Sequence, residues 1–351
     1  MNSRRGLDFS SDFFDDDDKP APHGGEVTPA TFTEELIRLG HRLPAGVYLG
    51  TSSWSFPGWQ GIVYGGAFTE GQLARNGLAA YAQHPLLRTV SIDRSFYQPL
   101  STDEYARYAK QVPEHFRFVV KAPALVTDTV VRGADGVADA PNPRFLDAEL
   151  ARNQFVNPAI AGLGAKSGPL VFQLTPLPRQ LLRSADELHA IVERIGTFIA
   201  GLPKEINGVA PIYAIEPRNA ELLTPRLVRT LREVGARLCV SIHARMPEAN
   251  RQSTALRVMD AIPDEGDEWR MKGPLVVRWN LHAGFRYDEA KNRYAPFDRL
   301  LDADILTRGT LAHLIHVAIR SGQPAFVIAN NKAEGSAPLS CVELAKAVVA
   351  R

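Results

Sequence analysis

The sequence predicts a single eight-stranded α/β barrel of the (β/α)8 TIM type, preceded by an acidic N-terminal tail. Three observations carry this prediction. Short β-rich runs recur eight times along the chain, amphipathic stretches with helical spacing lie between them, and no strand is followed by the Gly-rich phosphate fingerprint of a dinucleotide fold. Strands alternating with helices form right-handed βαβ units and therefore a parallel sheet. Eight such units favour a closed barrel over an open doubly wound sheet.

The elements follow in order. The first 45 residues hold nine acids, among them the run Asp15 to Asp18, against five bases. Their net charge is −4, which leaves +5 for the rest of a chain whose formal total is +1. A like-charge block followed by Lys19-Pro20-Ala21-Pro22 reads as a flexible tail. Residues 1–45 are therefore assigned to the tail, with one short helix near residues 31–39 docking on the body, and residues 46–351 to the barrel. Strands are expected at 47–54, 89–97, 116–121, 170–175, 212–216, 238–243, 275–282 and 325–330. Helical spacing is clearest at 181–199, 222–234, 310–320 and 339–349. Residues 124–168 exceed what a βα connection needs, so a loop and helix are expected over one mouth.

Composition narrows the function classes. The chain has 351 residues, 45% hydrophobic and 23% charged, as a soluble globular protein does. A net charge of +1 gives no global field for nucleic acid or an anionic membrane. Cys239 and Cys341 are the only cysteines, too few for a disulfide framework and in keeping with a reducing compartment. No apolar run approaches the roughly 20 residues of a membrane span, and the acidic N-terminus lacks signal-peptide features. A cytoplasmic protein with no membrane partner is expected, its oligomeric state left open.

Strand parity locates a site. Side chains alternate along a strand, and both faces of a parallel barrel are normally apolar. Here one parity is polar. Ser91, Asp93, Ser95 and Tyr97 alternate with Val90 and Ile92, and Gln173 and Thr175 with Phe172 and Leu174. Glu216 and Arg218 share a parity, as do Ser241 and His243, and Arg278, Asn280 and His282. Apolar faces must meet the helices, so the polar parity is expected inside. Its residues crowd toward strand C-terminal ends, where barrel enzymes keep their sites.

From residue 47 to the C-terminus the chain resembles domain-of-unknown-function family 72, the YecE-like proteins. The resemblance rests on Gly50-Thr51-Ser52-Ser53-Trp54 with Pro57-Gly58-Trp59 and Tyr64, on Ser95-Phe96-Tyr97, and on Phe116 through Pro123. Phe172-Gln173-Leu174-Thr175-Pro176, Glu216-Pro217-Arg218-Asn219, Val277-Arg278-Trp279 and Asn330-Asn331-Lys332 with Gly335, Ala337 and Pro338 complete it. It implies a (β/α)8 barrel and a bacterial-style cytosolic protein, and no established activity. Some barrel relatives of the family are metal-dependent isomerases and endonucleases, an analogy of fold alone. The chain departs from the family pattern at Ser91 and Asp93, where Glu and Asn are usual. It departs again at Asp128, where His is common, and at Pro217-Arg218-Asn219, in place of Arg-His.

The polar residues suggest roles. Glu216, ending a strand in the mouth, is the candidate general acid or base, with Lys121 beside it as a second catalytic candidate. Lys121, Arg218 and Arg278, from three strands, suit a phosphate or carboxylate ligand; pairing with Asp93, Asp128 and Glu216 is the structural alternative. Asn330 and Asn331 are candidates to orient the substrate, and Gln173 to contact it. Trp54 and Tyr97 are candidates to stack against it. No cofactor is expected, but Asp93, Glu216, His243 and His282 offer mixed N/O ligation to a divalent metal. The expected function is an enzyme for a small anionic substrate, with hydrolase, lyase and isomerase chemistry all open. The alternatives are a metal-dependent phosphodiesterase or nuclease and a non-catalytic ligand- or RNA-binding module. The run from Arg218 to Arg257, with eight arginines and three glutamates, is the one feature favouring nucleic acid. The acidic tail is a candidate to shield it.

Overall fold

The structure is a computed structural model that describes residues 26–133, 138–261, 269–282 and 284–351. The acidic run and the expected flexible segment through residue 25 lie outside the described residues. Eight parallel strands close a barrel in sequential order: β1 (Val47–Thr51), β2 (Leu87–Ile92), β3 (Arg117–Lys121), β4 (Ser167–Gln173), β5 (Ile212–Glu216), β6 (Arg237–Ile242), β7 (Leu275–Trp279) and β8 (Ala325–Ala329). Strand β8 pairs back onto β1 with Val47 opposite Ala325 and Thr51 opposite Ala329. This is the (β/α)8 architecture the strand count predicts.

The outer layer contains α1 (Glu34–Arg42), α2 (Glu70–Asn76), α3 (Thr102–Lys110), α4 (Asn157–Leu163), α5 (Ala185–Ala200), α6 (Pro225–Glu233), α7 (Ala249–Asp260), α8 (Tyr287–Tyr294), α9 (Ile305–Arg320) and α10 (Ala337–Val349). Local chemistry sets where they begin. Thr69 with Gln72, and Ser101 with Glu104, form reciprocal capping boxes at α2 and α3. Ser184, Thr224 and Asp304 cap α5, α6 and α9 by accepting a backbone N–H three residues on. Helix α1 docks on the barrel through buried Leu39 and Leu43, and its cap residue Thr33 accepts from Leu36. Residues 124–168 form the expected insertion: a short helical turn, a two-stranded antiparallel hairpin, a helical segment with a π turn at Arg152–Val156, and α4.

Two apolar layers divide at the strands. Leu49, Val90, Phe118, Val120, Phe172, Ile215, Val240, Val277 and Val327 join the helices in the large outer core. Inside the barrel, Val119, Val171, Ala214, Cys239, Val276, Phe326 and Ile328 form a separate cluster floored by Tyr48, which stacks on Phe326 at 4.7 Å. One inward-facing layer further toward the C-terminal ends, the same parity turns polar. Closure between β1 and β2 depends on Gly50, where a Cβ would stand 1.9 Å from the Thr89 carbonyl oxygen. The Tyr81 hydroxyl braces this irregular pairing, accepting from the Thr51 N–H and donating to the Thr89 carbonyl.

Several expected strands were too long. Strand β1 stops at Thr51 and β2 at Ile92, after which Arg94–Phe96 turn as a 3-10 helix. Ser95 and Tyr97 therefore do not continue the β2 alternation, and Trp54 lies beyond β1. His243, Asn280 and His282 likewise fall just past their strands. Period-2 patterning persisted into loops because mouth residues on loops are also polar.

Candidate functional site

At the C-terminal mouth the polar parity converges as expected. Glu216 ends β5, is fully buried, and receives donors from β6 and from the loops after β5 and β7. The Ser241 hydroxyl reaches Oε1 at 2.9 Å, the Asn280 amide at 3.1 Å and the Arg218 guanidinium at 2.8 Å. Arg278 lies 3.4 Å from the other oxygen and donates to Asp93 at 2.8 Å. Asp93 also accepts from the Ser91 hydroxyl at 2.5 Å. Gln173 accepts from Arg218 at 2.7 Å, so it belongs to the same network.

The charges set the chemistry. Burial works to raise the Glu216 carboxyl, but the cations of Arg218, Arg278 and Lys121 together hold it below the usual carboxylate range. Asp93 is governed likewise: burial opposes, and Arg278 and Lys121 prevail. Both stay ionised at neutral pH. Arg278 and Arg218 are thus each ion-paired with a carboxylate, while Arg218 Nε and Arg278 Nη1 are buried without a hydrogen-bond partner among the described residues.

Lys121 differs. It ends β3 with only 9% of its surface exposed, and its ammonium lies 3.5 Å from the centre of the Phe96 ring. Among the described residues it has no hydrogen-bond or ion-pair partner. Burial is the main cause that brings its pKa down to about 7; the Arg278 and Arg218 cations push the same way, and the Asp93 and Glu216 carboxylates only partly offset this. Three cations face two carboxylates, so the mouth carries one uncompensated positive charge when Lys121 is protonated.

The remaining candidates are placed as follows. Tyr97 stands on the rim, 57% exposed, its hydroxyl pKa raised to about 12 first by desolvation and then by the Asp93 charge and Tyr287. Trp54 does not reach the mouth: its indole donates to the Leu73 carbonyl and its ring packs edge-on against Tyr108, among the outer helices. Asn331 is buried, and its carbonyl oxygen accepts from the Trp59 indole at 3.2 Å and the Ala337 N–H at 2.8 Å, pinning α10. Asn330 donates to Ser52 and accepts from the Lys332 N–H, linking the β8 and β1 loops. Both asparagines are therefore engaged in holding loops, the turn-capping alternative.

The proposed metal ligands do not assemble. Asp93 and Glu216 face arginines, and burial lowers the His243 pKa to about 4, helped by Arg218. His282 packs edge-on against Phe285. Among the described residues, no three His, Cys, Asp or Glu side chains stand together as a metal-binding group. The arginine run is also broken up. Arg218 is buried in the mouth, Arg237 is buried in a two-pronged pair with Asp260, and Arg232 donates to the carbonyls of Met259 and Ala261. It is not one continuous solvent-facing stripe.

Lys332 escaped the sequence reading as a site residue. It follows β8 by three positions, is 6% exposed, and stands 4.1 Å from the centre of the Tyr287 ring. Its signal was present in the Asn330-Asn331-Lys332 motif, but parity reasoning ends where the strand does.

The family model described as "Protein of unknown function DUF72" matches residues 48–351. Among solved structures, a DUF72 family protein from Thermotoga maritima is similar at 17% identity and a TM-score of 0.53, covering 86% of this chain and 98% of its own. Another, from Enterococcus faecalis, is similar at 16% identity and 0.50, covering 86% and 95%. Likenesses at these identities concern the fold. No curated protein matches the chain. Among the described residues, no helix is long and apolar enough to cross a membrane.

Proposed function

This chain belongs to the DUF72 family of proteins of unknown function, and on that premise we propose that it is an enzyme acting on a small phosphorylated or carboxylated substrate by acid/base chemistry at the C-terminal barrel mouth. The observation that carries the reading is Lys121, a nearly buried ammonium without a carboxylate partner at the end of a barrel strand. An unpaired buried cation costs several kcal/mol, roughly, and an arriving anion relieves that cost. The substrate's anionic group supplies what Glu216 and Asp93, held by two arginines, do not.

Lys121 rather than Glu216 is then the proton-moving residue. A donor whose pKa lies near neutrality is matched to general-acid work at that pH. The protonated amine binds the anion and passes its proton to an oxygen that gains negative charge as a bond breaks. Glu216 remains a fixed carboxylate that orients Arg218 and Arg278, and Gln173 steadies Arg218. Tyr97 forms part of the rim wall. Cytoplasmic location and independence from a cofactor belong to this reading.

A thermal-shift screen of phosphorylated and carboxylated metabolites tests it. The proposal expects ligands that stabilise the wild-type protein more at pH 6 than at pH 8.5, and that leave Lys121→Met unaffected. Ligands that stabilise both proteins equally would place the anion site elsewhere. Turnover separates an enzyme from a binding module: Lys121→Gln should abolish conversion of the hit, whereas a binder converts nothing in either form.

A further inference from the structure

Lys332 presents the same physical problem as Lys121 at a second point of the mouth. Its side chain is buried after β8, its ammonium lies 4.1 Å from the Tyr287 ring centre and 5.8 Å from that of Phe297. Among the described residues it has no hydrogen-bond or ion-pair partner. Acids on the adjoining segments are paired with other cations: Glu334 is buried against Arg308 at 2.7 Å, Asp302 is paired with Arg293, and Asp298 with Arg299. Aromatic faces attract a cation but leave its charge uncompensated.

Lys332 belongs to the same mouth as Lys121. Lys121 is the last residue of β3 and Lys332 lies three residues past the end of β8, so both follow the C-terminal ends of barrel strands, and the Lys332 carbonyl accepts from the His282 N–H on the loop after β7. Tyr97 and Tyr287 are both more than half exposed, at 57% and 51%. Lys121, Arg218 and Arg278 surround the two carboxylates Asp93 and Glu216, and Lys332 adds a further buried cation past the end of β8. Two positive charges are left over, at separate points.

We infer that Lys332 and Lys121 form two cationic subsites, so that the ligand of this mouth carries two separated anionic groups on a short body lying between Tyr97 and Tyr287. The inference rests on the reading of the mouth as an anion site and adds the ligand's second charge. Each ammonium donates to one anionic group, and the rim tyrosines contact the body joining them. The excess positive charge and the charge of such a dianion then cancel.

The test compares α,ω-dicarboxylates from succinate to suberate with monocarboxylates of equal length, by calorimetric titration of the full chain at pH 6.5. In the wild-type protein at least one dicarboxylate should bind about tenfold more tightly than its monocarboxylate partner. That ratio should fall to near one in Lys332→Met and in Lys121→Met. Met retains the apolar stem over the rings, and loss of an uncompensated cation should leave the ligand-free Lys332→Met melting temperature unchanged or higher. A ratio near one throughout the wild-type series, or a preserved ratio in Lys332→Met, overturns the second subsite. A lower melting temperature for Lys332→Met would also overturn it, marking the lysine as a structural prop. Failure of every dicarboxylate to bind the wild-type protein overturns the second subsite, and failure of inorganic phosphate titrated alongside overturns the anion-site reading as well, so the two failures are distinguishable.

Discussion

Single residues decide whether the mouth is a machine or a plug. Glu216 gathers Ser241, Asn280 and Arg218 on one oxygen and Arg278 near the other, and all but Asn280 are buried. Removing its charge leaves two buried guanidiniums short of a partner, so Glu216→Gln should cost about 3 kcal/mol of unfolding free energy, read by denaturant titration. The pH dependence follows from sign. Glu216 and Asp93 have folded pKa values below their unfolded ones, so their stabilisation is full above about pH 4.5, near the unfolded carboxylate values, and is lost as pH falls through the folded ones. Lys121 is opposite. Its folded pKa of about 7 lies under the unfolded value of 10.5, so the unfolded chain holds more protons between them and stability rises with pH across that window. Lys121→Met should remove this alkaline gain; an unchanged slope from pH 7 to 10 would show that another group is responsible. Parity made Glu216, Arg218, Arg278, Gln173 and Asp93 legible in the sequence. It gave no account of which cation would be left unpaired, because that depends on distances across strands.

At the scale of elements, the loops after β1 and β8 are tied to each other and to α10 by hydrogen bonds. Asn331 ties the Trp59 indole to the start of α10, and Gly335, at φ 117°, meets the Arg299 carbonyl oxygen where a Cβ would be 2.5 Å away. Asn331→Ala should destabilise by about 2 kcal/mol, since it strands two buried donors. Gly335→Ala should destabilise too, through strain and collision. If these loops position Lys332, both substitutions should weaken dicarboxylate binding while Arg237→Lys, in the pair with Asp260 at the start of β6, leaves it alone. Strand and helix order was readable because period-2 and period-3.6 patterns were long and caps such as Ser101 with Glu104 were explicit. Strand ends were not readable. Ser95 and Tyr97 kept the alternation of β2 although the chain had already turned at Arg94–Phe96. Trp54 was misplaced for the same reason, and its burial against Tyr108 reflects the need of a large indole for the outer core.

Over the whole molecule, the barrel divides its interior into an apolar floor around Cys239, Val276 and Phe326 and a charged ceiling around Glu216 and Arg278. The floor supplies stability, and the low-dielectric surroundings make each ceiling charge consequential. The closed, sequential strand order was foreseeable from eight βα units. The chemistry was only partly so, because a sequence lists cations without saying which ones find carboxylates. The most direct measurement is an NMR titration of the Lys121 ammonium, using lysine labelled at Cε and assigned with Lys121→Arg. A midpoint near pH 7 that moves upward when an anion binds is the expected result. A midpoint near 10.5, unmoved by any phosphate or carboxylate, would contradict Lys121 as the acid and anion partner of this mouth.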